Sequence, residues 1–386
     1  MEKEFQQEKI LYLESLRGIA ALVVVIHHFN VYSIFNNPFT QHGWLFVDFF
    51  FVLSGFVVAM NYQEKIKTSS HLINFQTRRF LRLYPLHLLM LFAFLGIELA
   101  KYFVQVKFGM VAANQAFSIN NLTSFIENIF LVQNLLNENL TWNYPSWSIS
   151  SEFYVYLVFG FLTLVFHKKK SILLVLFFFL SLGSFLFLVE NSMATENGFF
   201  RCIYSFFLGA LIFNFYRRFS YRLPSYISYF LVLASILVVY FCRGEDSVMS
   251  VLTPIAFASL ILSLVMSNGN SFLKRFLNNT YLIYLGTISY GLYMIHGLVW
   301  WVLAQFSKFV LKVPMLVDSE GLTSLSFNDP ILANSMMIIG LMIIIGLSHL
   351  SYKLIEMPVN NYRHKLGKFT RSEVFIGTDR LTSSGV

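Results

Sequence analysis

The sequence predicts an all-α protein, a polytopic transmembrane helical bundle of about ten spans with both termini in the cytoplasm. Of its 386 residues, 56% are hydrophobic and only 12% are charged, whereas about a quarter of the residues of a soluble domain are charged. Apolar stretches of roughly 20 residues recur along the chain, and each can cross a hydrocarbon core of about 30 Å. Continuous runs such as residues 172–189 lack the alternation of membrane β-strands.

Ten apolar segments carry this prediction. They are residues 11–31, 44–62, 83–104, 146–166, 171–189, 199–216, 226–242, 249–267, 281–305 and 331–355. Lys and Arg concentrate in alternate connections, whereas the connections 32–43, 105–145, 190–198 and 306–330 are poorer in both. Because cytoplasmic connections carry the excess of Lys and Arg, the basic set is assigned to the cytoplasm. The formal net charge of +8 then marks topology and does not predict a nucleic-acid partner.

One membrane domain, residues 1–366, accounts for most of the chain, and residues 367–386 are predicted to form a disordered cytoplasmic tail. The connection 105–145 contains a stretch with the apolar spacing of an amphipathic helix that lies at the membrane surface. Cys202 and Cys242 lie in or beside predicted spans and form no recognisable metal or disulfide pattern. We therefore predict no metal site, and the sequence leaves the oligomeric state open.

Arg17 and His28 distinguish the first span from a simple anchor. At about 100° and 1.5 Å per residue, His28 returns to within about 20° of the helix face of Arg17 and lies about 16 Å further along the axis. An arginine near the cytoplasmic leaflet is thus followed by a histidine toward the outer leaflet, where a neutral imidazole can act as a general base. His27 is about 80° from that face and is interpreted as a packing or interfacial residue. The alternative for Arg17 is that it snorkels to the headgroups.

A basic cluster, Arg78, Arg79 and Arg82, opens the third span within the sequence RRFLRLYP. We expect the helix to begin there, with Pro85 setting its start. First-turn N–H groups and three guanidiniums would then form a phosphate site for a cytoplasmic polyphosphate ligand. The alternative is that these arginines only anchor the span on its cytoplasmic side.

Two carboxylates fall in the outer part of predicted spans, where an uncompensated charge is costly. Asp48 needs a partner, and His28 is the nearest candidate by sequence. Glu152 lies on one helix face with Ser148, four residues before it, and with Tyr156, four residues after it. Both carboxylates are therefore candidate functional groups.

Further polar residues border the predicted membrane interior. Trp147 suits the aromatic belt at the outer surface. In the ninth span Ser289, Tyr293 and His296 share one face, and the alternative for His296 is a satisfied structural histidine. Glu356 closes the tenth span and is expected to pair with an arginine. The arginines thus lie toward the cytoplasmic side of the membrane, whereas the carboxylates and histidines lie toward the outer side. This arrangement suits a charged cytoplasmic donor that must reach an outer acceptor.

The blocks FVDFFFVLSGF, RRFLRLYP, WSISSEFYVY, ISYGLYMIH and EMP, together with the spacing of Arg17 and His28, resemble the acyltransferase-3 family of integral-membrane O-acyltransferases. The resemblance covers about residues 11–364 and keeps the order of the blocks. It implies an enzyme of the bacterial cytoplasmic membrane. Such an enzyme transfers an acyl group, usually acetyl from acetyl-CoA, to hydroxyls of surface glycans. Two features depart from the family: Phe46 replaces a common glycine, and residues 149–152 lack a second acidic residue.

The resemblance also implies roles for individual residues. His28 is the implied catalytic histidine and Arg17 its companion on the first helix, while the cluster of Arg78, Arg79 and Arg82 contacts acyl-CoA. Asp48 and Glu152 are candidates to orient the imidazole or to bind sugar hydroxyls. We expect the acceptor to contact Trp147, Ser148, Ser289, Tyr293 and His296. The implied partners are acyl-CoA, a carbohydrate or glycolipid acceptor and membrane lipids.

A secondary transporter that exports a glycan or lipid-linked precursor is the alternative function. It too would place carboxylates and histidines inside the bundle. The sequence Arg-Arg-x-x-Arg favours a phosphorylated donor, although a transporter of a phosphorylated solute could use the same cluster. A sensor or scaffold without chemistry would leave the shared face of Arg17 and His28 unexplained.

Overall fold

The computed structural model describes residues 2–29, 31–109, 114–136, 139–219, 221–267, 271–317, 323–327 and 329–365. Within these residues the regular structure is helical, apart from a hairpin of strands β1 (Met315–Val317) and β2 (Thr323–Leu325). The predicted all-α class is therefore confirmed. The predicted disordered tail, residues 367–386, lies outside the described residues.

Sixteen α-helices lie within the described residues, and a π-helical turn at Tyr352–Glu356 joins the last two. They are α1 (Glu2–His27), α2 (Pro38–Gln41), α3 (Phe46–Tyr62), α4 (Ser69–Phe108), α5 (Leu122–Ile129), α6 (Gln133–Leu136), α7 (Trp147–Phe166), α8 (Lys170–Asn191), α9 (Gly198–Arg218), α10 (Ser225–Tyr240), α11 (Val248–Met266), α12 (Phe272–Leu277), α13 (Thr280–Thr287), α14 (Ser289–Phe309), α15 (Pro330–Ser351) and α16 (Met357–Lys365).

Seven helices among the described residues are long and apolar enough to cross a membrane. An eighth span results if α13 and α14 count as one, although a 64° bend separates their axes. Each of the ten predicted segments coincides with a helix or with this bent pair. The apolar helices indicate an integral membrane protein, while the count of ten spans and the cytoplasmic termini remain predictions.

The helix α4 begins earlier than the sequence predicts. Thr68 caps it by accepting a hydrogen bond from the backbone N–H of His71, and Gly109 ends it in the left-handed conformation with φ 66°. The start predicted at Arg78 is therefore wrong, since that residue lies more than two turns inside α4, where backbone N–H groups bond within the helix. Pro85 likewise lies inside the helix and does not set its start.

At two positions a glycine allows two helix backbones near the site to pack in direct contact. A Cβ atom at Gly55 would lie 1.8 Å from the carbonyl oxygen of Phe206, so α3 and α9 approach with their backbones in contact. A Cβ atom at Gly286 would lie 1.9 Å from the carbonyl oxygen of Glu14. The second crossing presses α1 against α13, immediately before the bend that leads into α14.

The connection 105–145 is more broken than its sequence predicts. The predicted amphipathic helix is divided into α5 and α6, because Leu131 takes a left-handed φ of 58° between them. Asn121 caps α5 by accepting a hydrogen bond from the N–H of Ser124 at 2.9 Å. The next residues, Tyr144–Ser146, form a 3₁₀ turn that leads into α7.

Candidate functional site

An open cavity with about 870 Å³ of empty space lies between α1, α3, α4, α7 and α14. Its walls are largely apolar, and its polar lining residues are Glu14, Arg17, Ser54, Arg79, Arg82, Ser148, Glu152, Tyr156, Ser289, Tyr290 and Tyr293. Seven of the twelve candidate site residues predicted from the sequence share this cavity: Arg17, Arg79, Arg82, Ser148, Glu152, Ser289 and Tyr293. The other five do not line it: His28, Asp48, Arg78, Trp147 and His296.

Three guanidiniums lie at one end of the cavity, and each has different contacts. Arg17 donates to Glu14 at 2.9 Å. The guanidinium of Arg79 lies over aromatic rings, 4.9 Å from the centroid of Tyr62 and 5.4 Å from that of Tyr156. Arg82 is half-buried and makes no hydrogen bond or ion pair within the described part of the chain. This end of the cavity therefore offers an anion a guanidinium that has no direct bond to a carboxylate among the described residues, although Glu14 and Glu356 interact with it electrostatically.

Arg78 and Glu356 do not match their predicted surroundings. Arg78 is buried but lies away from the cavity, because successive helix residues point about 100° apart and its neighbour Arg79 faces inward. Glu356 accepts a hydrogen bond from the hydroxyl of Ser351 at 3.4 Å. Among the described residues it forms no direct ion pair with an arginine, although its carboxyl interacts electrostatically with Arg82 and Arg17, so the predicted pairing is present only at longer range.

Glu152 belongs to a short chain of hydrogen bonds across the cavity wall. The hydroxyl of Tyr156 donates to Glu152 Oε1 at 2.5 Å, and Ser54 Oγ lies 2.8 Å from the same hydroxyl. Ser54 comes from α3, whereas the other two come from α7, so the chain joins the two helices. The predicted common face of Ser148, Glu152 and Tyr156 is confirmed, since all three line the cavity.

Tyr293 forms the wall at the other end of the cavity. Its hydroxyl donates to the carbonyl of Pro145 at 2.9 Å and lies 2.7 Å from Ser148 Oγ. Behind this wall, the ring of Tyr293 lies 5.9 Å from that of His296. Tyr293 thus lines the cavity on one side and contacts His296 on the other.

A cluster of His28, Tyr144 and His296 lies behind Tyr293. The His28 ring centroid is 4.9 Å from that of His296 and 5.1 Å from that of Tyr144. His28 Nδ1 lies 2.8 Å from the carbonyl of Val24, and a carbonyl only accepts, so Nδ1 carries the proton. Nε2 of His28 therefore has the free lone pair that a general base needs.

The adjacent residues His27 and His28, at the end of α1, make different contacts, as the helical phase predicts. His27 Nδ1 lies 3.1 Å from the carbonyl of Thr40, so His27 holds α2 against the end of α1. His28 faces His296 instead. His296 Nδ1 lies 3.2 Å from the carbonyl of Leu292, and its buried Nε2 has no partner within the described residues.

Asp48 pairs with Arg201 and not with His28, so the predicted partner is wrong. Arg201 Nη2 donates to Asp48 Oδ2 at 2.7 Å, and the two side chains are 1% and 0% exposed. The rings of Trp44 and Trp147 lie 5.1 Å and 5.0 Å from the same guanidinium. This pair joins α3 to α9, which explains Trp147 as a packing partner of a buried cation.

Sequence reasoning missed Arg201 and Tyr144. Arg201 carried a usable signal, because it is an arginine inside the predicted span 199–216, where an unpaired cation is costly. Tyr144 carried none, because its place beside His28 depends on how α7 approaches α1 and α14.

Comparison with known proteins identifies a family whose model matches this chain. The acyltransferase-3 family model, described as an acyltransferase domain, matches residues 10–352. The O-acetyltransferase OatA of Staphylococcus aureus is 24% identical over 320 residues, which are 77% of this chain and 51% of that protein. Acyltransferase MdmB of Streptomyces mycarofaciens is 31% identical over 166 residues, 38% of this chain and 37% of that protein.

Protein 2 in picA locus of Rhizobium radiobacter is 39% identical over 85 residues, 22% of this chain and 43% of that protein. The chain therefore spans about half or less of the length of these relatives. No solved structure gives a significant match. Because the family model covers most of the chain, including both the cavity and the histidine cluster, the protein belongs to the acyltransferase-3 family.

Proposed function

We propose that the protein is an integral-membrane O-acyltransferase that moves an acetyl group from cytoplasmic acetyl-CoA to a hydroxyl of a surface carbohydrate or glycolipid. A bacterial cytoplasmic membrane is the proposed location. One observation carries the proposal: a single cavity has cationic Arg17, Arg79 and Arg82 at one end and stops at Tyr293, directly before the pair of His28 and His296. The names of OatA and MdmB support acyl transfer.

The arginine end suits the phosphates of the donor. A guanidinium presents several N–H donors in a plane and binds phosphate oxygens in pairs. Arg82 makes no competing bond among the described residues, whereas Arg17 is partly neutralised by Glu14. We therefore propose Arg82 as the main phosphate contact, with Arg17 and Arg79 supplying additional positive potential.

The distance along α1 suits the donor as well. Eleven residues separate Arg17 from His28, which corresponds to about 16 Å of helix. The thiol arm of CoA, with two amide units, spans a similar distance when extended, roughly that of five peptide residues. With its phosphates at the arginines, the donor would place its thioester near Tyr293. The ring of Tyr293 must then move aside for the thioester to meet His28.

At the histidine end, the chemistry requires one lone pair. Nε2 of His28 accepts the proton of the acceptor hydroxyl as its oxygen bonds to the thioester carbonyl carbon. The carbon–sulfur bond then breaks, and the departing thiolate takes the proton from the imidazolium. The alternative is transient acetylation of the same Nε2, followed by transfer to the hydroxyl. Both routes make His28 the catalytic residue.

The carboxylates receive different proposed roles. Glu152 lies in the cavity and balances its positive charge, while its bond from Tyr156 fixes the ring that underlies Arg79. Asp48 pairs with Arg201 and so joins α3 to α9, and its proposed role is structural.

Two measurements test the proposal. Mass spectrometry of surface glycans should show acetyl groups in native cells and their loss when the gene is deleted. The purified protein in lipid vesicles should consume acetyl-CoA labelled in its acetyl group, by transfer or by slow hydrolysis. Flux of a glycan precursor with no consumption of acetyl-CoA would support a transporter and overturn the enzyme.

A further inference from the structure

Because the chain bends between α13 and α14, the N-terminal end of α14 lines the cavity. The axes of the two helices differ by 64°, and Ile288 stands between them. The first turn of α14 begins at Ser289, and backbone N–H groups in a first turn have no partner inside their own helix. Ser289, Tyr290 and Tyr293, from the first two turns, all line the cavity.

The side chain of Ser289 is a second and independent sign of a ligand here. Ser289 is only 2% exposed, yet it lines the cavity. Within the described part of the chain its hydroxyl makes no hydrogen bond, so a ligand in the cavity can supply the partner that it lacks. Tyr290 differs, because its hydroxyl donates to the carbonyl of Leu83 at 2.5 Å and so fixes the first turn of α14 against α4. Ser289 therefore lies on a fixed turn, and its side chain lines the cavity.

The distance between Ser289 and the histidine end of the cavity determines which part of the donor lies beside Ser289. His296 lies seven residues further along α14, which corresponds to about 10 Å. The thiol arm of CoA carries two amide groups, and the second lies roughly 10 Å from the sulfur when the arm is extended, at about 5 Å per unit. Phosphates lie further still, toward the arginines. A neutral carbonyl oxygen accepts hydrogen bonds from both hydroxyl and N–H donors.

We propose that Ser289 and the first turn of α14 bind the second amide carbonyl of the donor's pantetheine arm. This inference rests on the proposed use of acetyl-CoA and adds a binding site within the same cavity. The site would fix the depth of the arm, so that the thioester stops beside Tyr293 and the histidine pair. Donors that lack the second amide would lose this positioning.

Donor analogues test the site with the full chain in lipid vesicles. S-acetylpantetheine has both amides and no phosphate on its arm, whereas S-acetyl-N-acetylcysteamine keeps only the first amide. For the unaltered protein we expect kcat/KM to favour S-acetylpantetheine. Ser289→Ala should reduce that preference about threefold to tenfold, which corresponds to one neutral hydrogen bond. Ser289→Thr, which keeps a hydroxyl, should restore it.

Ser307→Ala is the matched control. Ser307 is a buried serine of the same helix whose hydroxyl has no partner among the described residues, but it lies five turns away and outside the cavity. An unchanged preference in Ser289→Ala, with the unaltered protein active on acetyl-CoA, would overturn this inference alone. A changed preference only between acetyl-CoA and S-acetylpantetheine would also overturn it, because it would assign Ser289 to the phosphates. No activity of the unaltered protein with any acetyl thioester would instead overturn the proposed function.

Discussion

The rings of His28 and His296 lie 4.9 Å apart, although His28 directly follows the last residue of α1 and His296 belongs to α14. Each uses Nδ1 to contact a carbonyl one turn earlier in its own helix, at 2.8 Å and 3.2 Å. Nε2 is therefore the unprotonated nitrogen of both rings, and within the described residues Nε2 of His296 has no hydrogen-bond partner. A base and a second imidazole thus meet where the cavity ends.

His296→Phe should separate function from stability. The phenyl ring fills a similar volume but removes a buried nitrogen that has no partner in the described structure, so the thermal midpoint should hold or rise. We expect kcat/KM to fall at least tenfold, because the imidazole that faces His28 is lost. Activity measurements and thermal unfolding in the same detergent check this. Full activity in the variant would reduce His296 to a packing residue.

Arg82→Ala should weaken donor binding through the phosphates. KM for acetyl-CoA should rise about tenfold or more, since a charge-assisted contact contributes roughly 1.5–3 kcal/mol. KM for S-acetylpantetheine, which lacks phosphates, should change little. Arg218→Ala is the control, because it removes an equal charge from an exposed position at the end of α9. Equal effects of both variants would indicate general electrostatics and not a phosphate site.

Asp48→Asn should unfold the protein more readily. It leaves the Arg201 cation without its carboxylate in a fully buried position, and such a loss costs about 3–5 kcal/mol. The double variant Asp48→Leu with Arg201→Met removes both charges and should recover much of that stability. Thermal unfolding of the single and double variants gives the comparison. A double variant as unstable as the single one would show that the charge pair is not the cause.

Gly55→Ala should disrupt the contact of α3 with α9. Its Cβ atom would lie 1.8 Å from the Phe206 carbonyl oxygen, so the backbones must separate. Gly183→Ala in α8 is the matched control, because its Cβ atom meets nothing within 4 Å. Helix propensity favours alanine by about 1 kcal/mol at both sites. We expect a lower yield of folded protein only from Gly55→Ala, and similar yields from both variants would contradict this packing.

Local helix geometry allowed part of the site to be predicted. The separate directions of His27 and His28 follow from the helical phase alone, and the same holds for the common face of Ser148, Glu152 and Tyr156. These predictions succeed because they concern one helix at a time. The order of family blocks then supplied the expectation that Arg79 and Arg82 belong to the same site.

Contacts between distant helices could not be predicted in the same way. Asp48 was paired with His28 by closeness in sequence, whereas α9 brings Arg201 to it across the bundle. The basic cluster before the apolar segment 83–104 predicts a helix start at Arg78, yet Thr68 caps a polar extension of the same helix. The bend at Ile288 also left no clear sign, since the apolar pattern continues through it.

The central claim is that His28 performs acyl transfer from a donor held in the adjoining cavity. It is tested most directly by comparing His28→Ala with His27→Ala in vesicles supplied with acetyl-CoA labelled in its acetyl group. Both variants should reach the membrane at equal levels. We expect His28→Ala to lose at least a hundredfold in labelled acetyl turnover, the contribution of a general base, and His27→Ala to keep most of it. Substantial turnover by His28→Ala at equal protein level would contradict the account.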